Sequence, residues 1–422
     1  MTTSREFENL DDLTSLEIIA SIVERVTFAS HQNDIAVIAD LVVQNTQDEI
    51  LEDLELSLEC EPPLIGSRTW KIDRLAPEGE VRIRDRAVPL AGGLLSELNE
   101  RMRAEVQLVL RKADKILCER HHTLIGLAKN EWGGAAYMPE LLAAFVMPND
   151  PAVSKVLKQA GEVLRQAGEQ PALDGYQSKS RQRVWQSVSA IWTAISSRRL
   201  VYAEPPASFE LEGQKIRTPG EVLDSGLSTC LDSTVLFAAA LEQAGLNPLI
   251  AFTRGHALCG VWLQPQQLPA LTTDDCSDLR KYIALKELIL FETTLVINEP
   301  PLPFSKAVSE ANRRISEEDE QEFVYALDVK RARRQQITPL GTVAKRPETG
   351  EAQGDSGLIL GLEAAPALPA FDLGIDDGPS PDTPATRLDH WKRKLLDLTK
   401  RNRLLNPGWL TKLQPSNFQA AS

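Results

Sequence analysis

The sequence predicts an α+β chain of several domains, and three observations carry that prediction. Apolar residues alternate with a period of two over much of residues 15–125. The period changes to three and four over residues 130–200. Residues 201–330 then mix one strong helix with strands. A length of 422 residues leaves room for roughly three domains.

The first part is built of short runs rich in Val, Ile and Leu: LEIIASIVERVTF, IAVIADLVVQN, LEDLELSLEC, WKID, VRIRDRAV and AEVQLVLRK. Turn residues such as Asn33-Asp34, Pro62-Pro63, Pro77-Glu78-Gly79 and Gly92-Gly93 separate them. Six or seven strands at this spacing predict an immunoglobulin-like β-sandwich over 13–125. Leu94 to Arg103 reads equally as a helix or as the entry to a strand.

Residues 126–200 form a helical segment leading into the next domain. Asp150 is placed to cap a helix that opens at Pro151, and Gly168 closes it. Residues 201–330 hold the second folded domain. Residues 339–385, rich in Pro and Gly and without an apolar period, read as a flexible linker. In 386–422 the run TRLDHWKRKLLDLTKRNRLLN sets Trp391, Leu395 and Leu398 on one face of a basic amphipathic helix. A helix that short needs a partner surface.

Charge and composition exclude several functions. Lys plus Arg is 46 against 60 for Asp plus Glu, a net charge of −14, which argues against nucleic-acid binding through the whole surface. The 386–406 helix is the one route left for it, and its apolar face favours a protein partner. No apolar run reaches the roughly 18 residues of a membrane span, and the polar start MTTSREFENLDDLTS has no signal-peptide core, so a cytoplasmic protein without a membrane partner is expected. The five cysteines, Cys60, Cys118, Cys230, Cys259 and Cys276, are scattered and form no CxxC, against a disulfide framework or a zinc site. His121 and His122 are adjacent and diverge on a strand, so no metal is expected there. No cofactor is implied. The phosphate loop GxxxxGK[ST] is absent, so no ATPase activity is assigned.

The informative stretch is 213–263, GQKIRTPGEVLDSGLSTCLDSTVLFAAALEQAGLNPLIAFTRGHALCGVWL. Thr218 or Pro219 opens a short helix, and Leu231 to Ala244 continues as a longer one closed by Gly245. Cys230 therefore starts a helix, where free N–H groups and the helix dipole favour a thiolate and predict a lowered thiol pKa. NPLIAF is a strand, Thr253-Arg254-Gly255 a turn, and HALCGVWL a strand that opens with His256. YIALKELILFETTLVI reads as a further strand carrying Glu292. A cysteine at a helix start, a histidine at a strand start and a carboxylate on the next strand suit nucleophilic thiol catalysis. Cys259 points to the face opposite His256 and reads as core, Cys60 and Cys118 as packing residues, and Cys276, in the polar TTDDCSD, as an exposed thiol. Gln214 lies upstream of the cysteine and is a weak candidate oxyanion donor. Tyr176, Gln177, Arg217 and Trp262 are candidates for the cleft wall.

GEVLDSGLSTCLDSTVLFAAALEQAGLNP, GHALCGVWL and LFETT resemble, in order, the cysteine helix, histidine strand and acid strand of the transglutaminase-like cysteine peptidases. The resemblance covers about 201–300 and implies Cys230 as nucleophile, His256 as base and Glu292 as orienting acid. Glu292-Thr293-Thr294 stands where Asp-x-Thr is more usual. A wider resemblance, over about 20–406, rests on EWGG, MPELLAAFVMPNDPAV, LDGYQ, YAEPPASFELEGQKIRTP and LLDLTKRNRLLN. These segments are similar to the N-terminal region of very large bacterial superfamily 1 helicases of defence or mobile-element type. That likeness implies an immunoglobulin-like and transglutaminase-like module acting on a protein substrate, with a helicase domain or subunit as partner. The alternative is a catalytically inactive interaction platform.

Overall fold

The alternating residues of the N-terminal part build two sheets over one core. The computed structural model describes residues 16–341 and 361–371. The chain divides into units 1–369 and 370–422, and the fold described is that of the first. Its strands begin with β1 (Leu16–Ile22), β2 (Arg25–Val26), β3 (Ile38–Asn45), β4 (Leu51–Glu61), β5 (Arg68–Leu75), β6 (Glu80–Arg82), β7 (Met102–Lys112) and β8 (Lys115–Gly126). One sheet runs β1-β3-β6 and the other β2-β8-β7-β4-β5. Leu41 and Val43 of the first share a core with Leu56, Leu58, Val106 and Leu108 of the second, as inward residues of facing sheets do. Two short helices join strands, α1 (Phe28–Gln32) and α2 (Gly92–Glu97), so the 94–103 stretch divides into a helix and a strand start. VRIRDRAV pairs only through β6.

The rest of the unit is a sheet between helices. Strand β9 (Glu131–Trp132) precedes α3 (Leu142–Phe145), α4 (Pro151–Gln166) and α5 (Arg181–Ser196). Asp150 caps α4, its carboxylate accepting the Ala152 N–H at 2.8 Å. After β10 (Val201–Tyr202) and α6 (Phe209–Glu212), strand β11 (Gln214–Lys215) returns to pair with β9, tying the helical segment to the second domain. Then come α7 (Pro219–Ser225), β12 (Leu227–Ser228), α8 (Cys230–Gln243), β13 (Pro248–Thr253), β14 (His256–Trp262), β15 (Thr272–Thr273), α9 (Cys276–Ala284), β16 (Leu288–Phe291), α10 (Phe304–Arg314), β17 (Phe323–Asp328) and α11 (Val329–Arg334).

Helices and sheets together make this an α+β fold. The main sheet is antiparallel with order β15-β17-β13-β14-β16. On one face Leu249, Ala251, Leu258 and Leu290 meet Cys276 and Leu279 of α9 and Ala311 of α10. On the other, Phe291 meets Phe237 of α8 at 5.2 Å and Trp192 of α5 at 6.2 Å between ring centres.

Several expectations are corrected. The strand expected through LILFETTLVI stops at Phe291, and Thr293–Ile297 is a 3₁₀ turn. Cys276 is not exposed: Asp275 caps α9, so Cys276 faces the core, and burial pushes its thiol up to about 11. Two pieces of the stretch expected as a linker, residues 340–341 and Glu363, make hydrogen bonds to the folded part. Leu340 N–H donates to Ala144 at 2.7 Å, Gly341 N–H donates to Gln32 at 3.0 Å, and Ser305 N–H reaches Glu363 at 3.0 Å. The basic helix of 386–406 lies outside the described residues. No helix among the described residues is long and apolar enough to cross a membrane.

Candidate active site

Cys230 stands where it does because the chain before it is a series of caps. Thr218 opens α7 in a reciprocal capping box with Glu221, and Gly226, at φ +70°, ends that helix. Thr229 then opens α8 in a second box. Its hydroxyl accepts the Asp232 N–H at 3.1 Å, and Asp232 accepts the Thr229 N–H at 3.0 Å. Arg217 holds the same buried Asp232 through its backbone N–H and its guanidinium, each at 2.8 Å. Cys230 is the first helical residue and is 0% exposed.

His256 opens β14 directly after the Arg254-Gly255 turn. Its Nε2 lies 2.6 Å from Oε2 of Glu292, and both residues are buried. Glu292 follows the last residue of β16 and caps the 3₁₀ turn, its Oε1 accepting the Thr294 N–H at 3.0 Å and hydroxyl at 2.7 Å. Arg314 Nε approaches Oε2 to 3.1 Å, yet that N–H makes no hydrogen bond among the described residues, so the contact is an ion pair without alignment. Burial alone would raise the Glu292 carboxyl. The hydrogen bond and charge of His256, with the bonds from Thr294, outweigh it and hold the group below the ordinary carboxylate range.

Backbone and hydroxyl contacts bring the three segments together. The Ala257 N–H, one residue beyond His256, is directed at the Cys230 sulfur. Thr234 donates to the Ala257 carbonyl at 3.3 Å. Thr293 meets Ser233 at 2.8 Å and Thr234 at 3.1 Å, hydroxyl to hydroxyl, fastening the residue after Glu292 to α8. Among the described residues no hydrogen bond joins Cys230 directly to His256. Glu292 engages Nε2 of the ring, which leaves Nδ1 as the nitrogen for the thiol.

The expected lowering of the Cys230 thiol is not what the structure shows. Burial pushes it up to about 12, and the charge of Glu292 adds to the rise. The N–H groups of Ala257 and Leu231 and the Tyr202 hydroxyl favour the thiolate, but desolvation outweighs them and the helix dipole with them. The thiol is neutral as described. Tyr202 is a site residue that sequence reasoning missed. It belongs to a two-residue strand too short to show a period.

The remaining candidates are placed as follows. Gln214 is buried on β11, and its Nε2 donates to Thr229 Oγ1 at 3.0 Å, so that N–H is engaged rather than free for an oxyanion. Its Oε1 is buried without a partner among the described residues. Trp262 is fully buried and bonds Asp328 at 3.2 Å, and Tyr176 bonds the Trp262 carbonyl at 2.8 Å, so neither lines the thiol. Gln177 lines a surface groove at the far end of α8, about 20 Å from Cys230 at 1.5 Å per helical residue. Cys259 is core, and Cys60 lies in the core of the β part with Cys118 packed against it. No group of three His, Cys, Asp or Glu among the described residues is arranged to hold a metal ion. Comparison with known protein families and with curated proteins finds no match to this chain, so a functional reading rests on its own residues and their geometry.

Proposed function

We propose that this chain is a transglutaminase-like cysteine peptidase or amidase module, preceded by an immunoglobulin-like β-sandwich and serving a helicase-associated bacterial defence or mobile-element system in the cytoplasm. One observation carries the catalytic part: the buried His256–Glu292 pair at 2.6 Å, with the N–H of the next residue directed at the Cys230 sulfur. Glu292 fixes the imidazole tautomer through Nε2 and stabilises the imidazolium that forms. His256 takes the thiol proton as Cys230 attacks an amide carbonyl carbon. The first N–H groups of α8 lie beside the developing oxyanion. His256 returns the proton to the leaving amine, the C–N bond breaks, and a thioester remains on Cys230. Water, deprotonated by His256, resolves it. The link to a helicase rests on the sequence resemblance alone.

A second reading has its own observation. A thiol fully buried and raised to about 12 suits a non-catalytic platform that recruits a helicase or another protein. The two readings separate on an activated ester. With p-nitrophenyl acetate, the catalytic reading expects an acetyl thioester on Cys230, detected by mass spectrometry and lost in Cys230→Ser and His256→Ala. Acetylation confined to lysines, or unchanged at Cys230 in His256→Ala, would leave the platform as the surviving reading.

A further inference from the structure

We propose that Tyr202 gates the Cys230 thiol, and that β10 is a strap which swings away before an acyl group can reach the sulfur. The inference rests on the catalytic reading of Cys230 and adds its regulation. A carbon under attack must come within about 3–3.5 Å of the nucleophile. The Cys230 sulfur offers no such approach, since the residue is 0% exposed. Leu231 and Ala257, whose N–H groups face the sulfur, are themselves fully buried. Tyr202 is different. Its hydroxyl is directed at the sulfur, yet the residue is 36% exposed, so among these three neighbours it alone spans from solvent to thiol.

The pairing explains the placement. Strand β10 runs parallel to β12 with Val201 opposite Leu227 and Tyr202 opposite Ser228. Val201 is 60% exposed and Leu227 39%, whereas Ser228 is 1% exposed. The Val201–Leu227 face is therefore outward and the Tyr202–Ser228 face inward, two residues before Cys230 in the chain. The strap is short. It spans two residue pairs with β12, and its Val201 N–H donates to Gly226 at 2.7 Å and its Ala203 N–H to Ser228 at 2.9 Å. Positive φ at Arg199 and Ser208 brackets it, and exposed Glu204, Pro206 and Ala207 follow. Displacing these few residues leaves the main sheet and α8 intact.

The test is the iodoacetamide labelling rate of each cysteine, read by mass spectrometry, in the wild type, Tyr202→Phe and Tyr202→Ala. Cys259, buried in the main sheet, reports any loosening of the fold. The gate predicts that Tyr202→Phe speeds Cys230 labelling about fivefold, the worth of one hydrogen bond. Tyr202→Ala, which also removes the ring, speeds it by more than about tenfold by opening the site locally. Cys259 stays unlabelled in both. An unchanged Cys230 rate in both variants overturns the gate. If Tyr202→Ala also exposes Cys259, Tyr202→Phe decides, and no change there overturns it. Adding His256→Ala to Tyr202→Ala separates the two claims. A fast rate that no longer depends on His256 keeps the gate and removes the catalytic pair.

Discussion

Glu292 uses both carboxylate oxygens, Oε2 on His256 and Oε1 on Thr294. Its carboxyl is held below the ordinary value of about 4.3, so it stabilises the fold above that pH. The contribution is lost as pH falls through the lower folded value. Urea midpoints measured from pH 7 downward are expected to fall less steeply in Glu292→Gln than in the wild type. At pH 7 that variant loses about 2 kcal/mol, the scale of a hydrogen bond to a charged group. Equal pH slopes would show that the carboxylate is not held as described. The residues of this site were unevenly legible in the sequence. Turn and capping residues mark the positions of Cys230 and His256 at element boundaries, whereas Glu292 reads as mid-strand in the sequence and is singled out through the LFETT resemblance. Ser233, Thr234 and Thr293 form the hydroxyl link by three-dimensional proximity, which leaves no spacing to read. Cys276 was misread because its polar neighbours are a helix cap rather than a loop.

At the scale of elements, α8 depends on its first turn. Thr229→Ala removes the hydroxyl that serves Asp232 and Gln214, and loss of such a cap costs about 1 kcal/mol. A chemical denaturation curve unchanged within a few tenths of a kcal/mol would contradict this. The strand carrying Gln214 depends on Gly213. That residue sits at φ +83°, and an added Cβ would lie 1.9 Å from the Trp132 carbonyl oxygen, so no side chain fits without moving the backbone. Gly213→Ala is expected to cost at least about 2 kcal/mol, between left-handed strain and steric clash. A melting temperature equal to that of the wild type would refute it. Long elements with clear periods, α4, α5, α8, β13 and β14, were legible. Thr293–Ile297 was not, because TTLVI has strand composition while the Glu292 side chain, by accepting the Thr294 N–H, favours a turn. Strands β9 to β12, two residues each, are too short for any pattern.

At the scale of the whole described unit, Arg25 ties the two-sheet part to the α+β part. Its guanidinium donates to the Glu212 carbonyl at 2.9 Å and pairs with the Glu212 carboxylate at 2.7 Å. It also lies 3.7 Å over the Tyr137 ring. Arg25→Met is expected to split one unfolding transition into two, because the shared contacts make the parts cooperative. A single transition at an unchanged midpoint would deny the tie. An arginine on a two-residue strand reaching a helix 187 positions away has no sequence signal. At 340 and 341 backbone N–H groups donate to Ala144 and Gln32, and the Glu363 carboxylate accepts the Ser305 N–H, contacts that a Pro- and Gly-rich composition does not announce. Under the proposed function, His256, oriented by Glu292, activates Cys230. The most direct measurement is the pH profile of Cys230 alkylation in the wild type and His256→Ala. Wild-type Cys230 is expected to label at about pH 7–8, below the free-thiol range, and the variant to react only as pH approaches the thiol value of about 12. Superimposable profiles would contradict it.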